Sequence, residues 1–538
     1  LAISDWQLIL VLRATNDEIT GLGTRGQTIK KLSPFPHAFC LGAGSKLAPN
    51  EIDKRLTDMT DRTTEQPVWV GEDKPEEACG VFGVYSDDPE FNASGVTYVG
   101  LYALQHRGQE SAGIVVSDGR HIATHKNMGL VANVFNPDIL GKLSGRIGIG
   151  HVRYSTTGSS FLANAQPLVA RCSRGVLAVA HNGNLINTEE LRLELENEGS
   201  VFQSTTDTEV IMNLIARHTK GDLATAVINA VSTLRGSFTL VIMTKDALIG
   251  LRDPHGNRPL CLGKIDGAYV LASESCAFSS IGARFIRDIE PGELVVINSD
   301  GVQSHHLPQV EQRALCVFEY IYFARPDSII DGLSVHLARK AMGRQLAKQF
   351  TGTADVVIPV PDSGLCTALG FAEASGIPYD IGLIKNPYVG RTFIQPHQNM
   401  RDLGVRIKLN PVESVIRGKR LVVIDDTIVR GTTTGRIIKM LRESGAKEVH
   451  MCISAPPITH PCYYGIDTSV RKELIASSHS VEEIRQYIGA DSLNYLCAAG
   501  LAEAIAPKHE LCFACFNGCY PIGIPQTTVH DKYFLEGN

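Results

Sequence analysis

The stretch RLVVIDDTIVRGTTTGRIIKML, residues 420–441, decides how the second half of the chain is read. An unbroken apolar run, as in a strand buried on both faces, ends in two acids, Asp425 and Asp426. Small hydroxyl and glycine residues then open a helical pattern. Such a loop aims backbone N–H groups and Thr hydroxyls at an anion seated on the helix N-terminus. Two adjacent carboxylates repel unless they share a cation or hydroxyl groups. A Thr-rich helix cap explains one half of the pattern, and a solvated Asp pair the other. Both together, directly after an apolar strand, fit a phosphorylated sugar carrying Mg2+.

Working outward, helix and strand patterns alternate from about residue 330. LSVHLARKAMGRQLAKQF, CTALGFAEASG and TTTGRIIKMLRESGA have helical spacing, and ADVVIPVP, KRLVVIDD and EVHMCISAPP are apolar strands. That alternation implies a parallel sheet with crossover helices. Residues 471–538 add a helix pair and a group of cysteines. Between residue 79 and about 310 the text is instead strand-rich and punctuated by glycine: GVFGVYS, SAGIVVSDG, GRIGIGHVRYS, GVLAVAHNG, GSFTLVIMT, GAYVLASES and GELVVINSDG. VTYVGLYALQHRG and TEVIMNLIARHTKGDLATAVINAVSTL interrupt it with apolar spacing near 3.6. The expectation is a sheet sandwich covered by helices. Residues 1–78 have no sustained period and read as a targeting peptide, propeptide or upstream extension, without the pattern of a secretory signal.

The 538 residues allow two to four domains. With 43% hydrophobic and 20% charged residues the composition is that of an ordinary globular protein. A net charge of −6 provides no basic face for a nucleic-acid backbone, and no apolar run approaches the ~20 residues that span a bilayer. Neither nucleic acid nor membrane is therefore expected as a partner. The 13 cysteines are scattered, which points to a reducing compartment rather than a disulfide framework.

Residues 420–441 resemble the phosphoribosyl-pyrophosphate (PRPP) signature of type I phosphoribosyltransferases. The resemblance implies that Thr427, Arg430, Gly431, Thr432 and Thr433, within the loop ending at Thr434, hold the 5′-phosphate. Asp425 and Asp426 would hold the ribose hydroxyls and Mg2+. VIPVPDSG, residues 357–364, looks like the family's pyrophosphate loop and would bring Ser363 to the metal. KNPYVGRTF, residues 385–393, resembles its flexible basic loop, with Lys385 and Arg391 facing the leaving group.

Cys79, in EEACGVFGVYS, is by itself as consistent with a small buried core residue as with a nucleophile. LQHRGQESAG (104–113), GHVRYSTTG (150–158), AHNGNLIN (180–187) and TTDTEV (205–210) follow it. Singly these are turns and caps. In this order they resemble an N-terminal-nucleophile glutamine amidotransferase, over residues 79–310. The fold so implied is an αββα glutaminase domain followed by a phosphoribosyltransferase α/β domain at 311–470. In that family the Cys79 thiol attacks the glutamine amide with its own α-amine as base. Asn182 and the Gly183 N–H would form the oxyanion hole. Arg153 would clamp the α-carboxylate and Asp207 would hold the α-ammonium, while Arg107, counted with the glutamine-binding residues, would with Gly108 shape the loop near the nucleophile. The mechanism requires Cys79 to be residue one, so removal of residues 1–78 is expected.

Cys512 and Cys515 form a C-x-x-C pair that spacing alone leaves as zinc, redox or chance. With Cys316 and Cys462, whose surroundings match, they resemble the iron–sulfur class of glutamine PRPP amidotransferases, implying a [4Fe–4S] cluster on these four residues, with Cys519 free. That family makes 5-phosphoribosylamine from glutamine and PRPP, with purine nucleotides as feedback inhibitors and a homotetramer as the expected assembly. Other glutamine enzymes with the same nucleophile domain, and nucleotide-sensing regulators on the phosphoribosyltransferase fold, are the alternatives. The former lack VVIDDTIVRGTTT, and the latter lack a glutaminase set. The expected compartment is the cytoplasm, with a plastid as alternative if residues 1–78 include a transit peptide.

Overall fold

The computed structural model describes residues 79–155, 158–308, 312–386, 408–468, 471–505 and 510–526. The expected propeptide at 1–78, and Arg391 with most of the basic loop, lie outside the described residues.

The glycine-punctuated runs of the first half pair as two antiparallel sheets. In one, the order is Arg284–Asp288, Cys261–Ile265, Ala268–Ala272, Gly80–Tyr85, Ile147–Arg153, Ser111–Ser117, Ile122–Met128. The other runs Gly301–His306, Glu293–Asn298, Leu248–Arg252, Gly236–Met243, Gly175–Leu185, Leu168–Cys172. Strand alternation sends Val81, Tyr85, Ile147 and Ile149 of the first sheet against Ala178, Ala180, Val241 and Met243 of the second. The opposite face of the first sheet, with Phe82 and Val84, packs on the helices Ala93–Ala103 and Cys276–Ile281. The second sheet covers its outer face with Thr188–Asn197, Asp207–Arg217 and Leu223–Val231. The result is the expected four-layer αββα arrangement. The long helical pattern at 208–234 is in fact two helices, broken where Gly221 takes φ +76°. The helix at Thr188–Asn197 was not expected; its glutamates and single leucine stripe give a weak apolar signal.

The second half holds a parallel sheet ordered Val356–Pro359, Arg420–Asp425, Glu448–Ile453, Ser492–Tyr495. Its two faces are closed by separate apolar clusters. The first three strands are those read from the sequence. The fourth lies in the segment taken as a C-terminal appendage, so the sheet runs beyond residue 470. SLNY is too short and too polar to announce a buried strand.

The helices Val335–Gln349 and Leu365–Ser375 meet backbone to backbone. A Cβ on Gly343 would lie 1.9 Å from the Thr367 carbonyl oxygen, and one on Gly370 would lie 1.9 Å from that of Lys340. Glycine inside a helix costs about 1 kcal/mol relative to alanine, and close approach explains why it stands here twice. Gly343→Ala should therefore destabilise the protein by about 1–3 kcal/mol, against its helix propensity. Denaturant unfolding checks this, and an unchanged or raised midpoint would count against the contact.

Candidate active sites

The Gly80–Tyr85 strand lies at the centre of its sheet, and Cys79, the residue before it, is buried at that strand's N-terminal end. Cys79 lines one cavity with Arg153, Tyr154, Gln166, His181, Gly183, Thr206 and Asp207. Its Sγ donates to the Tyr154 carbonyl oxygen at 3.3 Å. Burial pushes the thiol up to about 12; Arg153 opposes the rise, and Glu110 and Asp207 add to it. The thiol of the peptide-linked residue is therefore protonated at neutral pH.

Arg153 ends the Ile147–Arg153 strand and is buried. It donates to the carbonyls of Ser159 and Gly158, each at 3.2 Å, and lies 3.6 Å from Glu110. Asp207 is the first residue of its helix, where the helix dipole favours an anion. Its carboxylate accepts from the Leu185 N–H at 3.2 Å and lies 3.3 Å from His181 Nδ1. Burial opposes ionisation of Asp207, yet the His181 ring and the neighbouring N–H groups hold it below the usual carboxylate range.

Gly183 has φ +147°, and a Cβ there would sit 2.1 Å from the Ser237 carbonyl oxygen, so only glycine fits. Beside it Asn182 is wholly buried, and neither its Oδ1 nor its Nδ2 has a hydrogen-bond partner among the described residues. An orphaned buried amide costs about 1–3 kcal/mol, which is tolerable where a ligand supplies the partner. Asn182 does not line the cavity, whereas Gly183 does.

Arg107 corrects the expectation that it binds glutamine. Its guanidinium is fully buried and occupied: Nη1 and Nη2 meet Glu319 at 2.9 and 2.8 Å, and Nη1 also meets Glu274 at 2.6 Å. Nε donates to the Cys79 carbonyl oxygen at 3.2 Å. Arg107 therefore anchors the nucleophile's backbone. Tyr154, Gln166, His181 and Thr206 were missed as cavity residues. Tyr154, His181 and Thr206 sat inside the quoted motifs, while Gln166 carried no sequence signal.

In the second site Asp425 closes its strand and Asp426 follows, both buried. Asp425 Oδ1 accepts from the Asp426 N–H at 2.9 Å and from Ser363 Oγ at 3.3 Å. The loop at 357–364 thus reaches the acid pair through Ser363. Thr427 Oγ1 donates to Asp426 Oδ2 at 2.8 Å. Gly431, at φ +79°, turns the chain into the helix Thr432–Glu443, whose first turn holds no acid. Arg430 is ion-paired with Glu473. Lys385 ends the short strand Leu383–Lys385 and meets Asp362 of the 357–364 loop at 2.5 Å.

Cys316, Cys462, Cys512 and Cys515 are all buried. The short strands Leu315–Cys316 and Leu511–Cys512 pair in parallel and set Cys316 opposite Cys512. Each of the four sulfurs is close enough to the other three to interact electrostatically. Cys462 and Cys515 perturb each other most, Cys462 being lowered and Cys515 raised. Among the described residues no three His, Cys, Asp or Glu side chains are placed to hold a single metal ion. One tetrahedral ion with metal–sulfur bonds of about 2.3 Å needs sulfurs about 3.8 Å apart, and a cubane spreads its thiolates wider. Cys519 is exposed and free.

A glutamine amidotransferase domain profile matches residues 151–280, and a phosphoribosyl transferase domain profile matches residues 331–481. The amidophosphoribosyltransferase of Bacillus subtilis is 52% identical over 459 residues, 84% of this chain and 96% of that protein. Amidophosphoribosyltransferase 2, chloroplastic, of Arabidopsis thaliana is 46% identical over 91% of this chain and 86% of its own length. The solved B. subtilis glutamine PRPP amidotransferase, complexed with ADP and GMP, superimposes with a TM-score of 0.79 at 52% identity, over 84% of this chain and 99% of that one. With both catalytic halves matched along most of its length, the chain belongs to the amidophosphoribosyltransferase family.

Proposed function

We propose that the two sites carry out the glutamine-dependent amidophosphoribosyltransferase reaction in series. Glutamine is hydrolysed at Cys79, and the ammonia displaces pyrophosphate from PRPP to give 5-phosphoribosylamine. The observation that carries this reading is the single cavity shared by Cys79, Arg153, Gly183 and Asp207. It holds a nucleophile, a cation for an α-carboxylate and an anion for an α-ammonium.

In the first half-reaction the Cys79 sulfur adds to the amide carbon of the glutamine side chain. The α-amine of Cys79 takes the thiol proton and passes it to the departing ammonia. The Gly183 N–H and the Asn182 amide stabilise the oxyanion. Water then cleaves the thioester to glutamate and regenerates the thiol. In the second half-reaction ammonia attacks C1 of PRPP as the C1–pyrophosphate bond breaks. The Thr427–Thr433 segment, with Arg430 and Gly431, receives the 5′-phosphate at the start of the Thr432–Glu443 helix. Asp425 and Asp426 hold the ribose hydroxyls. Lys385, with Arg391, meets the leaving group. Bound Mg2+, held by Ser363 and the two aspartates, would neutralise pyrophosphate charge.

The four buried thiols fit a [4Fe–4S] cluster by donor type and convergence, and we read this chain as the iron–sulfur class. The cluster would tie the C-terminal segment to the rest of the chain. Residues 1–78 are read as a removed propeptide, 79–310 as the glutaminase domain, 311–470 as the transferase domain, and 471–538 as a segment that also supplies its last strand. Purine nucleotides are the proposed inhibitors, in keeping with the ADP and GMP of the B. subtilis complex, and a homotetramer is the proposed assembly. The cytoplasm is the proposed compartment. A plastid is the second reading, favoured by the chloroplastic Arabidopsis relatives.

Cys79→Ala should abolish glutamine-dependent synthesis and leave ammonia-dependent synthesis within about twofold; steady-state assays with each donor check it, and joint loss would undo the division of labour. Asp425→Asn combined with Asp426→Asn should lower turnover at least ~100-fold with either donor, and retained activity would count against the PRPP site. N-terminal sequencing of active enzyme should begin at Cys79. In the uncut chain the raised thiol leaves little thiolate at pH 7, so its alkylation by iodoacetamide should be slow and should quicken as pH rises toward 12. An active enzyme retaining Ala78, or an uncut chain alkylated at full rate at pH 7, would contradict this.

A further inference from the structure

Behind the glutaminase cavity lies a second set of buried charges that the reaction does not consume. Glu319 follows Cys316 by three residues and is wholly buried. One face of its carboxylate meets Arg107 at 2.8 and 2.9 Å, and its Oε1 also accepts from Arg258 Nη1 at 3.1 Å. Arg258 is itself fully buried. It donates from Nη2 to the Tyr464 carbonyl oxygen at 3.1 Å and lies 5.5 Å above the Phe323 ring, and the Tyr464 N–H in turn donates to Cys462 Sγ at 3.3 Å. From the cysteine site an unbroken path of contacts therefore runs through Arg258, Glu319 and Arg107 to the carbonyl oxygen of Cys79.

A separate contact reaches the other side of the cavity. The Cys462–Gly465 loop lies against the strand that carries Asn182 and Gly183. Asn184 Nδ2 donates to the Tyr463 carbonyl oxygen at 3.1 Å. A Cβ on Gly465 would stand 3.3 Å from the Gly183 carbonyl carbon and 3.2 Å from Arg258 Nη2. Gly465 has φ +105°, which a larger residue adopts only under strain.

We propose that the four-cysteine site positions the glutaminase centre from behind, with Glu319 and Gly465 as the positioning residues that carry its influence to Cys79 and to Gly183. Neither touches glutamine. Glu319 is shared by two guanidiniums, so the hold on Arg107 depends on where Arg258 is kept. Arg258 is kept by the Cys462–Gly465 loop and the cysteines beside it. The cysteine site thereby gains a function beyond fastening the C-terminal segment. The cluster assignment of the preceding section names what fills the site, while the path itself rests only on residues of this chain.

The test uses the full-length enzyme, purified without oxygen, as wild type, Glu319→Gln, the milder Glu319→Asp, and Gly465→Ala. For each, kcat and KM are measured with glutamine and with ammonia, together with the rate at which iodoacetamide alkylates Cys79 and the bound iron. The expected result is a fall of about tenfold or more in kcat/KM for glutamine in Glu319→Gln and Gly465→Ala. Alkylation should slow in step, Glu319→Asp should fall between, and ammonia-dependent kcat/KM should be less affected than the glutamine value. Wild-type alkylation and unchanged glutamine kinetics in both Glu319→Gln and Gly465→Ala would overturn the proposal. So would equal loss with both nitrogen donors in all three variants, since a merely structural role damages both sites. Wild type that holds no iron yet shows the expected variant pattern would remove the cluster reading and leave the positioning path standing.

Discussion

The guanidinium of Arg107 has no water to turn to, and the architecture around the nucleophile follows from that. A buried charge is tolerated only when paired and hydrogen-bonded on every side. Arg107 obtains its partners from three distant segments: Glu274 beyond the Ala268–Ala272 strand, Glu319 beyond Cys316, and the carbonyl of Cys79. Arg107 and Arg258 bring two positive charges, and Glu274 and Glu319 bring two negative ones. Removing one member of such a set typically costs about 3–5 kcal/mol because another is left uncompensated. The set thereby fixes which segments meet at Cys79. It also joins the sandwich to the chain that leads into the parallel sheet, because Glu319 lies just past the end of the former.

The two sites use a helix N-terminus in opposite ways. In the sandwich the Asp207–Arg217 helix supplies its own anion, Asp207, whose carboxylate is held charged in the cavity wall. In the proposed pose that negative charge receives the α-ammonium of glutamine. In the parallel sheet the Thr432–Glu443 helix begins with three threonines and no acid, which leaves the positive end of its dipole for an anion from outside. The acids there stand one step earlier, at the strand end, where Asp425 and Asp426 suit hydroxyls and a cation. The first turns of the two helices thus differ in sign, in keeping with the amino-acid and phosphate ligands proposed for them.

What could be read from the sequence was what is local in it. The strand, acid pair, loop and helix of 420–441 are contiguous, so their geometry follows from chain order alone. The sandwich covered by helices followed from short apolar runs punctuated by glycine, whose central strands are buried on both faces, while the αββα order was what the resemblance implied. The partners of Arg107 could not be read in this way. An arginine in an Arg-Gly turn looks the same whether it meets a substrate or two glutamates, and Glu274 and Glu319 lie 167 and 212 residues away. Ser492–Tyr495 was missed for a related reason: a short polar segment becomes a strand only because Glu448–Ile453 offers it an open edge. The convergence of Cys316 with Cys512 is likewise a product of strand pairing, which spacing does not encode.

The electrostatics of the first cavity bear on why the proposed mechanism gives Cys79 its own amine as base. In the peptide-linked chain burial raises the thiol, Arg153 lowers it, and Glu110 and Asp207 raise it again. In the proposed pose the carboxylate of glutamine meets Arg153 and its ammonium meets Asp207. Binding would then mask the one cation that favours the thiolate and one of the anions that oppose it, and the two effects work against each other. The substrate's charges thus offer no net activation, and a substrate that displaces water from the cavity would deepen the desolvation. A base that takes the proton during attack avoids the need for a standing thiolate altogether. The α-amine of the same residue is attached to the carbon that bears the thiol's side chain, and Arg107 fixes that residue's carbonyl from the other end. A constraint on the backbone of Cys79 thereby also becomes a constraint on the angle between base and nucleophile.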